Sequence, residues 1–265
     1  MIAFLASLLG CFVAAPPPVE ALRTTFDQAL AEFDEGQKLV TNQPDRARQL
    51  FRSAAQKFEG IASSGVSNGM LEFNLGNCYL QAGDLGRAIL HYRRAQRWIP
   101  RDPLLADNLA LARSRCLTQI PSARGDDVLR SVFFWHYQSS NAARTRVGLV
   151  AYSLAFALLI AATLARRRYL MGLGLAAGAV ALACAASLAA ERWSLRTAPP
   201  AVITAMDVPV YKGPGASYQK QFEQPLQAGT ECTLREERGS WWNIELPDGK
   251  SGWVESTAVE TVAAK

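Results

Sequence analysis

The sequence predicts a multidomain protein with an all-α solenoid, a transmembrane helical hairpin and a small all-β barrel, in that order. Three observations lead to this fold class. Apolar and small residues recur at three- and four-residue spacing from Phe26 to about Leu117. Two runs of 19 and 22 residues without a charge follow. Short alternating runs, separated by turn residues, then fill the C-terminal part of the protein.

Composition and charge narrow the function classes. The protein has 265 residues, is 49% hydrophobic and carries a formal net charge of +5. Most of that excess lies in residues 144–196, which hold seven basic residues and one acidic residue. Arginines at the ends of apolar spans meet lipid headgroups, so we expect a membrane-embedded protein and no nucleic-acid partner. Two distant histidines and five widely spaced cysteines predict no metal site and no cofactor.

Residues 1–21 are expected to form a secretory signal peptide. The apolar run Met1–Ala15 is too short to span a bilayer, and three prolines and a Val-x-Ala sequence ending at Ala21 follow it. An uncleaved anchor and lipidation at Cys11, within Leu8-Leu9-Gly10-Cys11, are the alternatives.

Residues 22–120 are expected to form helical hairpins of the tetratricopeptide type. Breaks fall at residues 42–44, 63–65, 83–84 and 100–103. The spacing L-G-x-x-Y, then A-x-x-x-Y-x-x-A, then P matches the repeat pattern at seven positions: Leu75, Gly76, Tyr79, Ala88, Tyr92, Ala95 and Pro100. Small residues at Gly76 and Ala88 let two helices cross closely. A degenerate earlier copy passes through Gly36, Ala47, Phe51 and Ala54, and a half-repeat from Pro103 caps the stack.

The inner face of such a stack is a candidate protein-binding groove. We expect it to be lined by Phe73, Asn77, Leu80 and Gln81. The alternative is that these side chains contact the preceding helix or water. Cys78 and Cys116 lie on first helices of neighbouring repeats, where either a disulfide or two buried free thiols would fit, the free thiols being the default.

The middle of the protein is expected to enter the membrane. Residues 121–146 form a juxtamembrane linker whose cluster Phe133–Tyr137 either lies at the headgroup level or packs back on the last repeat helix. Residues 147–165 and 169–190 are the two spans, and Gly174 and Gly178 form a face for close packing on the first span or on a second copy. With residues 166–168 as a cytoplasmic loop, both soluble domains lie in the periplasm of a bacterial inner-membrane protein.

Residues 198–263 are expected to form the small barrel. Short alternating runs occur at residues 201–203, 208–211, 232–234, 242–246 and 252–255, and Asp248-Gly249 is a hairpin turn. The order of the W-x-x-I, D-G and G-W-V elements resembles the bacterial SH3-like (SH3b) domain. The resemblance implies an aromatic core and surface formed by Tyr211, Trp241, Trp242 and Trp253. In such domains that surface binds cell-wall peptides or proline-rich segments, and a purely structural role is the alternative.

The order of these parts resembles a known family. Asn74–Asn77, Gly86-x-Ala88-Ile89-x-x-Tyr92, Asp107–Ala110 and the stretch from Trp242 to Val254 are similar to the BatE family of the Bacteroides aerotolerance-type operons. The resemblance implies membrane-anchored von Willebrand-factor-A proteins and a MoxR-type AAA+ ATPase as partners. The sequence contains no recognisable catalytic motif. We therefore predict a non-enzymatic inner-membrane scaffold that binds partner proteins, or alternatively a peptidoglycan sensor or recruiter that uses the SH3-like domain.

Overall fold

The computed structural model describes residues 18–116, 135 and 138–263. These residues form a helical domain, a long helical hairpin and a five-stranded β-domain. Residues 121–134, 136 and 137 of the predicted linker, which include most of the cluster Phe133–Tyr137, lie outside the described residues, as does most of the predicted signal peptide. The expected cleavage point after Ala21 falls in the first turn of the first helix.

The helical domain contains five helices joined by short turns. They are α1 (Val19–Leu39), α2 (Pro44–Ser63), α3 (Gly69–Ala82), α4 (Leu85–Gln96) and α5 (Pro103–Arg115). The predicted breaks coincide with turns because local chemistry ends each helix there. Asp84 and Asp102 accept hydrogen bonds from the backbone N–H of Arg87 and Leu105 and so begin α4 and α5. Gly83, at φ 85°, ends α3 in the left-handed conformation.

Two glycines set the spacing inside the helical domain. A Cβ on Gly76 would lie 2.4 Å from the Tyr92 ring, and one on Gly36 would lie 2.8 Å from the Phe51 ring. The same device, a glycine on one helix beneath an aromatic ring on the next, therefore occurs in both hairpins. Tyr92 and Phe51 are fully buried as a result.

The hairpin consists of α6 (Asn141–Ala165) and α7 (Arg168–Thr197), which are 25 and 30 residues long. Both are long and apolar enough to span a membrane. α6 begins six residues before the predicted span, and α7 extends seven residues beyond it. Among the predicted loop residues, Arg168 already belongs to α7.

Small residues hold the two hairpin helices together, while large apolar residues face outward. A Cβ on Gly174 would lie 3.0 Å from the Leu159 side chain, so the packing face predicted around Gly174 meets the first span. Phe156 is 62% exposed and Leu182 71% exposed. Side chains of this kind face lipid in a membrane hairpin, whereas they would be buried in the core of a soluble protein.

The β-domain is an antiparallel sheet with strand order β4-β3-β2-β1-β5. The strands are β1 (Pro200–Ile203), β2 (Glu231–Arg238), β3 (Trp241–Glu245), β4 (Ser251–Glu255) and β5 (Val259–Thr261), with a 3-10 turn at Ser256–Ala258. The prediction of a strand at residues 208–211 is wrong. This segment makes only isolated bridges, Val208 with Leu226 and Tyr211 with Lys220 and Trp253. Pro209 has no N–H to donate to a ladder, which limits pairing there.

The β-domain shares a hydrophobic core with the helical domain. Val202 on β1 and Val262 after β5 are buried in the same cluster as Ile89 and Tyr92. Close backbone approach accompanies this packing, because a Cβ on Gly86 of α4 would lie 2.9 Å from the carbonyl oxygen of Ile203. The helical domain and the β-domain therefore form one body rather than two tethered modules.

Candidate functional site

Ion pairs fix how the β-domain lies on the helical domain. Glu231 pairs with Arg93 at 3.2 Å and with Arg113 at 2.6 Å. Arg94 donates to the carbonyl oxygen of Thr261 at 2.9 Å and pairs with Glu260 at 3.5 Å. Charges from α4 and α5 thus meet carboxylates of β2 and β5 around the shared apolar core. This arrangement orients the walls of a cleft between the two units.

The cleft has a volume of about 490 Å³ and opens between the helical domain and the β-domain. Its helical wall comes from α2, the turn between α3 and α4, and the end of α5. Its β wall comes from the segment that follows β1 and the segment that precedes β2. The lining combines charged, polar and apolar side chains, among them Arg52, Gln56, Glu59, Tyr79, Leu85, Arg87, Arg115, Met206 and Gln227.

A buried tyrosine organises the helical wall. The Tyr79 hydroxyl donates to the Glu59 carboxylate, and the Arg87 guanidinium lies 5.5 Å from the centre of the Tyr79 ring. Burial, and then the hydrogen bond to Glu59, raise the pKa of Tyr79 well above its usual range. The phenol therefore stays protonated and keeps Glu59 engaged. Behind it, the Tyr79 ring stacks on His91, whose Nδ1 lies 2.8 Å from a Glu72 oxygen.

Two arginines of the cleft have no counter-charge among the described residues. Arg87 pairs with Asp84 at 3.8 Å, but no carboxylate of residues 18–116 or 138–263 lies within 4 Å of the Arg52 or Arg115 guanidinium. Across from them Met206 is 75% exposed and supplies apolar surface. The cleft thus offers two guanidinium groups beside an apolar wall. Such a surface suits an extended peptide that carries a carboxylate.

The four predicted groove residues lie elsewhere and do not share one open surface. The Asn77 side-chain oxygen accepts hydrogen bonds from Tyr92 at 2.8 Å and Asn108 at 2.9 Å. Phe73 packs on the Tyr92 ring, Leu80 is 4% exposed, and of the four only Gln81 is exposed. Leu80 therefore belongs to the core, and Asn77 connects α3, α4 and α5.

The seven predicted repeat positions lie where two helices meet. Leu75, Gly76, Tyr79, Ala88, Tyr92 and Ala95 are all buried on α3 and α4. Pro100 follows the end of α4. Of these residues, Tyr79 also reaches the cleft, which the repeat pattern alone does not indicate.

Two of the four predicted β-domain aromatics, Tyr211 and Trp241, form an aromatic pair, and Trp253 lies next to Tyr211 through the backbone. The Tyr211 and Trp241 rings meet edge to face at 5.5 Å, and Tyr211 exchanges two backbone hydrogen bonds of 2.8 Å with Trp253. Arg238 lies 5.3 Å from the Trp253 ring centre. Trp242 instead packs against the β-domain core, because neighbouring strand residues point to opposite faces. The aromatic patch, Tyr211 and Trp241, lies at the β3–β4 edge, away from the docked strands β1 and β5, and Trp253 beside it is buried.

The cysteines of the described region are free thiols. Burial raises the pKa of Cys78 to about 12, and burial also raises the pKa of Cys116. The default prediction of buried thiols is confirmed, and the alternative disulfide is not formed. Within the described residues no three His, Cys, Asp or Glu side chains come together in a way that would hold a metal ion.

The sequence patterns did not indicate the cleft. Arg52, Arg115 and Met206 belong to no motif, and they meet only because the β-domain folds back onto α4. Comparisons with family models, with curated proteins and with solved structures found no match to this protein.

Proposed function

We propose that this protein is a non-enzymatic scaffold of the bacterial inner membrane that binds a segment of a partner protein in the cleft. The observation that carries the proposal is the cleft itself, about 490 Å³ in volume and formed jointly by the helical domain and the β-domain. A cleft between two docked units is a usual place for a ligand site. The hairpin α6–α7 is the membrane anchor.

The chemistry of the cleft favours an extended acidic segment or the free carboxyl terminus of a partner. Arg52 and Arg115 supply donors for a carboxylate, and Met206 with Leu85 supplies apolar contact. The two carboxylates of the cleft already have partners, since Glu59 accepts from Tyr79 and Asp84 pairs with Arg87.

The proposal also covers the fold type of each unit, the partner proteins and the side of the membrane. The Gly36–Phe51 and Gly76–Tyr92 contacts support two tetratricopeptide-type hairpins, and the aromatic patch on the five-stranded sheet supports an SH3-like barrel. With the resemblance to the BatE family, the proposed partners are membrane-anchored von Willebrand-type proteins linked to a MoxR-type AAA+ ATPase. Both soluble domains lie on one side of the membrane, in the periplasm.

The test is a binding measurement with full-length protein in detergent and a purified von Willebrand-type protein encoded beside it. Arg52→Glu combined with Arg115→Glu is expected to weaken binding tenfold or more, since two charge-assisted contacts are reversed. Arg23→Glu, at an exposed arginine of α1 that does not line the cleft, is the matched control and should leave affinity within twofold. Equal affinity of the double variant and the wild type would refute cleft binding.

The alternative function, recognition of the cell wall, is favoured by the aromatic patch. Aromatic faces of this kind stack on apolar ligand surfaces. It predicts that the full-length protein sediments with purified sacculi and that Trp241→Ala abolishes this, whereas Trp98→Ala does not. Sedimentation that depends on Trp241, together with no effect of the Arg52 and Arg115 changes on partner binding, would favour the wall-binding function over the scaffold.

A further inference from the structure

A second pocket lies where the hairpin leaves the helical domain. It has a volume of about 200 Å³ and is lined by the end of α4, the first residues of α6 and Val262. None of its residues lines the cleft. Its polar lining comes from Glu72, Arg94, Arg97, Ser140 and Asn141, with Trp98 at its side.

Among the charged groups that line this pocket, only Arg97 has no partner among the described residues. Arg94 pairs with Glu260, and Glu72 lies in hydrogen-bond contact with His91. No described carboxylate lies within 4 Å of the Arg97 guanidinium, and the Nε atoms of Arg97 and Arg94 are buried without a hydrogen-bond acceptor among the described residues. A buried donor on a cation without an acceptor is costly, so this pocket favours an anion.

The start of α6 adds donors to the same pocket. The Ser140 side chain accepts from the N–H of Ala143, and the Ser140 carbonyl accepts from that of Arg144. The N–H groups of Asn141 and Ala142 have no intrahelical acceptor and carry the positive end of the α6 dipole. Arg97, Arg94 and these two N–H groups are all donors, which matches a phosphate group, whose oxygens only accept.

The position along α6 identifies the source of the phosphate. The apolar stretch begins at Val147, five residues after Ala142, or about 8 Å along the helix. The headgroup layer of a bilayer extends roughly 5–8 Å beyond the hydrocarbon on each side. Trp98 beside the pocket is 49% exposed and Trp193, near the same end of α7, is 72% exposed. Tryptophan prefers this level of the membrane.

We infer that the pocket between α4 and the start of α6 binds the phosphodiester of an anionic phospholipid from the surrounding bilayer. The inference rests on the proposed placement of α6–α7 in a membrane and is independent of the cleft. Arg97 is the principal contact, and the α6 N-terminus and Arg94 complete the site. Glu72, which also lines the pocket, is engaged by His91 at 2.8 Å.

The experiment counts lipids bound to the full-length protein in mild detergent by native mass spectrometry. Phosphatidylglycerol and phosphatidylcholine are titrated separately. The wild type is expected to bind one phosphatidylglycerol in preference to phosphatidylcholine, because Arg94 and Arg97 repel the choline cation. Arg97→Gln should weaken phosphatidylglycerol binding about tenfold, the effect of one charge-assisted hydrogen bond. Arg101→Gln is the matched control, with the same charge change four residues away and outside the pocket, and should change affinity less than twofold.

Further arms separate the other outcomes. Arg97→Lys keeps the charge and is expected to retain part of the affinity at an unchanged unfolding temperature, so it decides the case if Arg97→Gln fails to fold. Equal binding of the two lipids, or equal effects of Arg97→Gln and Arg101→Gln, would overturn the inference. Displacement of the lipid by millimolar inorganic phosphate would assign the site to a soluble ion instead. Incorporation of the wild type into lipid nanodiscs separately tests the membrane placement, and the Arg52 and Arg115 variants should bind lipid normally.

Discussion

Adding one methyl group at Gly76 tests how closely α3 and α4 approach. In Gly76→Ala the new Cβ would lie 2.4 Å from two carbon atoms of the Tyr92 ring. The ring has little room to move, because Tyr92 is 0% exposed and its hydroxyl donates to Asn77 at 2.8 Å. Gly60→Ala is the matched control, since Gly60 lies inside α2 and nothing comes within 4 Å of a Cβ there.

The two substitutions are expected to change the free energy of unfolding in opposite directions. Overpacking a core position costs about 1–3 kcal/mol, while replacing a helical glycine with alanine gains up to about 1 kcal/mol. Gly76→Ala is therefore expected to destabilise the protein by about 1–2 kcal/mol. Gly60→Ala gains the propensity without the clash and is expected to stabilise it by about 0.5–1 kcal/mol.

The assay is thermal unfolding of the full-length protein in mild detergent, followed by circular dichroism. One kcal/mol shifts the unfolding temperature of a domain of this size by about 2–4 °C. Gly76→Ala should unfold about 2–8 °C lower than the wild type, and Gly60→Ala about 1–4 °C higher. Hydrogen exchange should speed up in α3 and α4 of the first variant only. If both variants move in the same direction by a similar amount, the close helix crossing is wrong.

Three further predictions concern other contacts. Gly86→Ala places a Cβ 2.9 Å from the Ile203 carbonyl oxygen and should loosen the contact between the β-domain and α4. Iodoacetamide should then label Cys116 faster, while Cys78 stays unlabelled. Unchanged labelling of Cys116 would contradict the shared interface. In the native wild type at pH 8, Cys78 and Cys232 should resist alkylation, because burial raises the pKa of each thiol to about 12 and keeps it protonated at that pH. Mass spectrometry of labelled peptides measures this. Rapid labelling of the native protein at either cysteine would disprove it. Glu191→Ala leaves the buried Arg144 without its carboxylate partner on α7 and should lower the free energy of unfolding by about 3–5 kcal/mol. Glu236→Ala, which breaks an exposed pair with Arg238, should lower it by less than about 1 kcal/mol in the same thermal assay.

The local elements were predictable from sequence because short-range chemistry determines them. Gly83 with Asp84 ends one helix and begins the next, and Pro103 after Asp102 begins α5, so the breaks could be placed correctly. Strands β1, β3 and β4 coincide with alternating runs bounded by turns. The close fit of Gly76 to Tyr92 follows from the repeat spacing.

The site was not predictable in the same way, because distant segments form it. Glu231 pairs with Arg113, which lies 118 positions earlier in the sequence, and neither residue belongs to a motif that would predict this ion pair. Strand β5 was missed because it is three residues long and depends on pairing with β1. Leu80 was assigned to an open groove from helix periodicity, but α3 is buried on nearly every side, where periodicity no longer distinguishes faces.

In the proposed membrane topology, the core shared by the helical domain and the β-domain makes folding dependent on how the hairpin inserts. Val202 and Val262 complete a core whose other members are synthesised before the hairpin, so Ile89 and its neighbours stay uncovered until α6 and α7 have formed. In a bilayer, a polypeptide that crosses once delivers its β-domain to the opposite side and leaves that surface exposed. Only a polypeptide that crosses and returns can close the core. The shared core therefore closes only when both ends of the hairpin lie on the same side of the membrane. A misinserted protein exposes apolar surface that quality-control proteases can recognise.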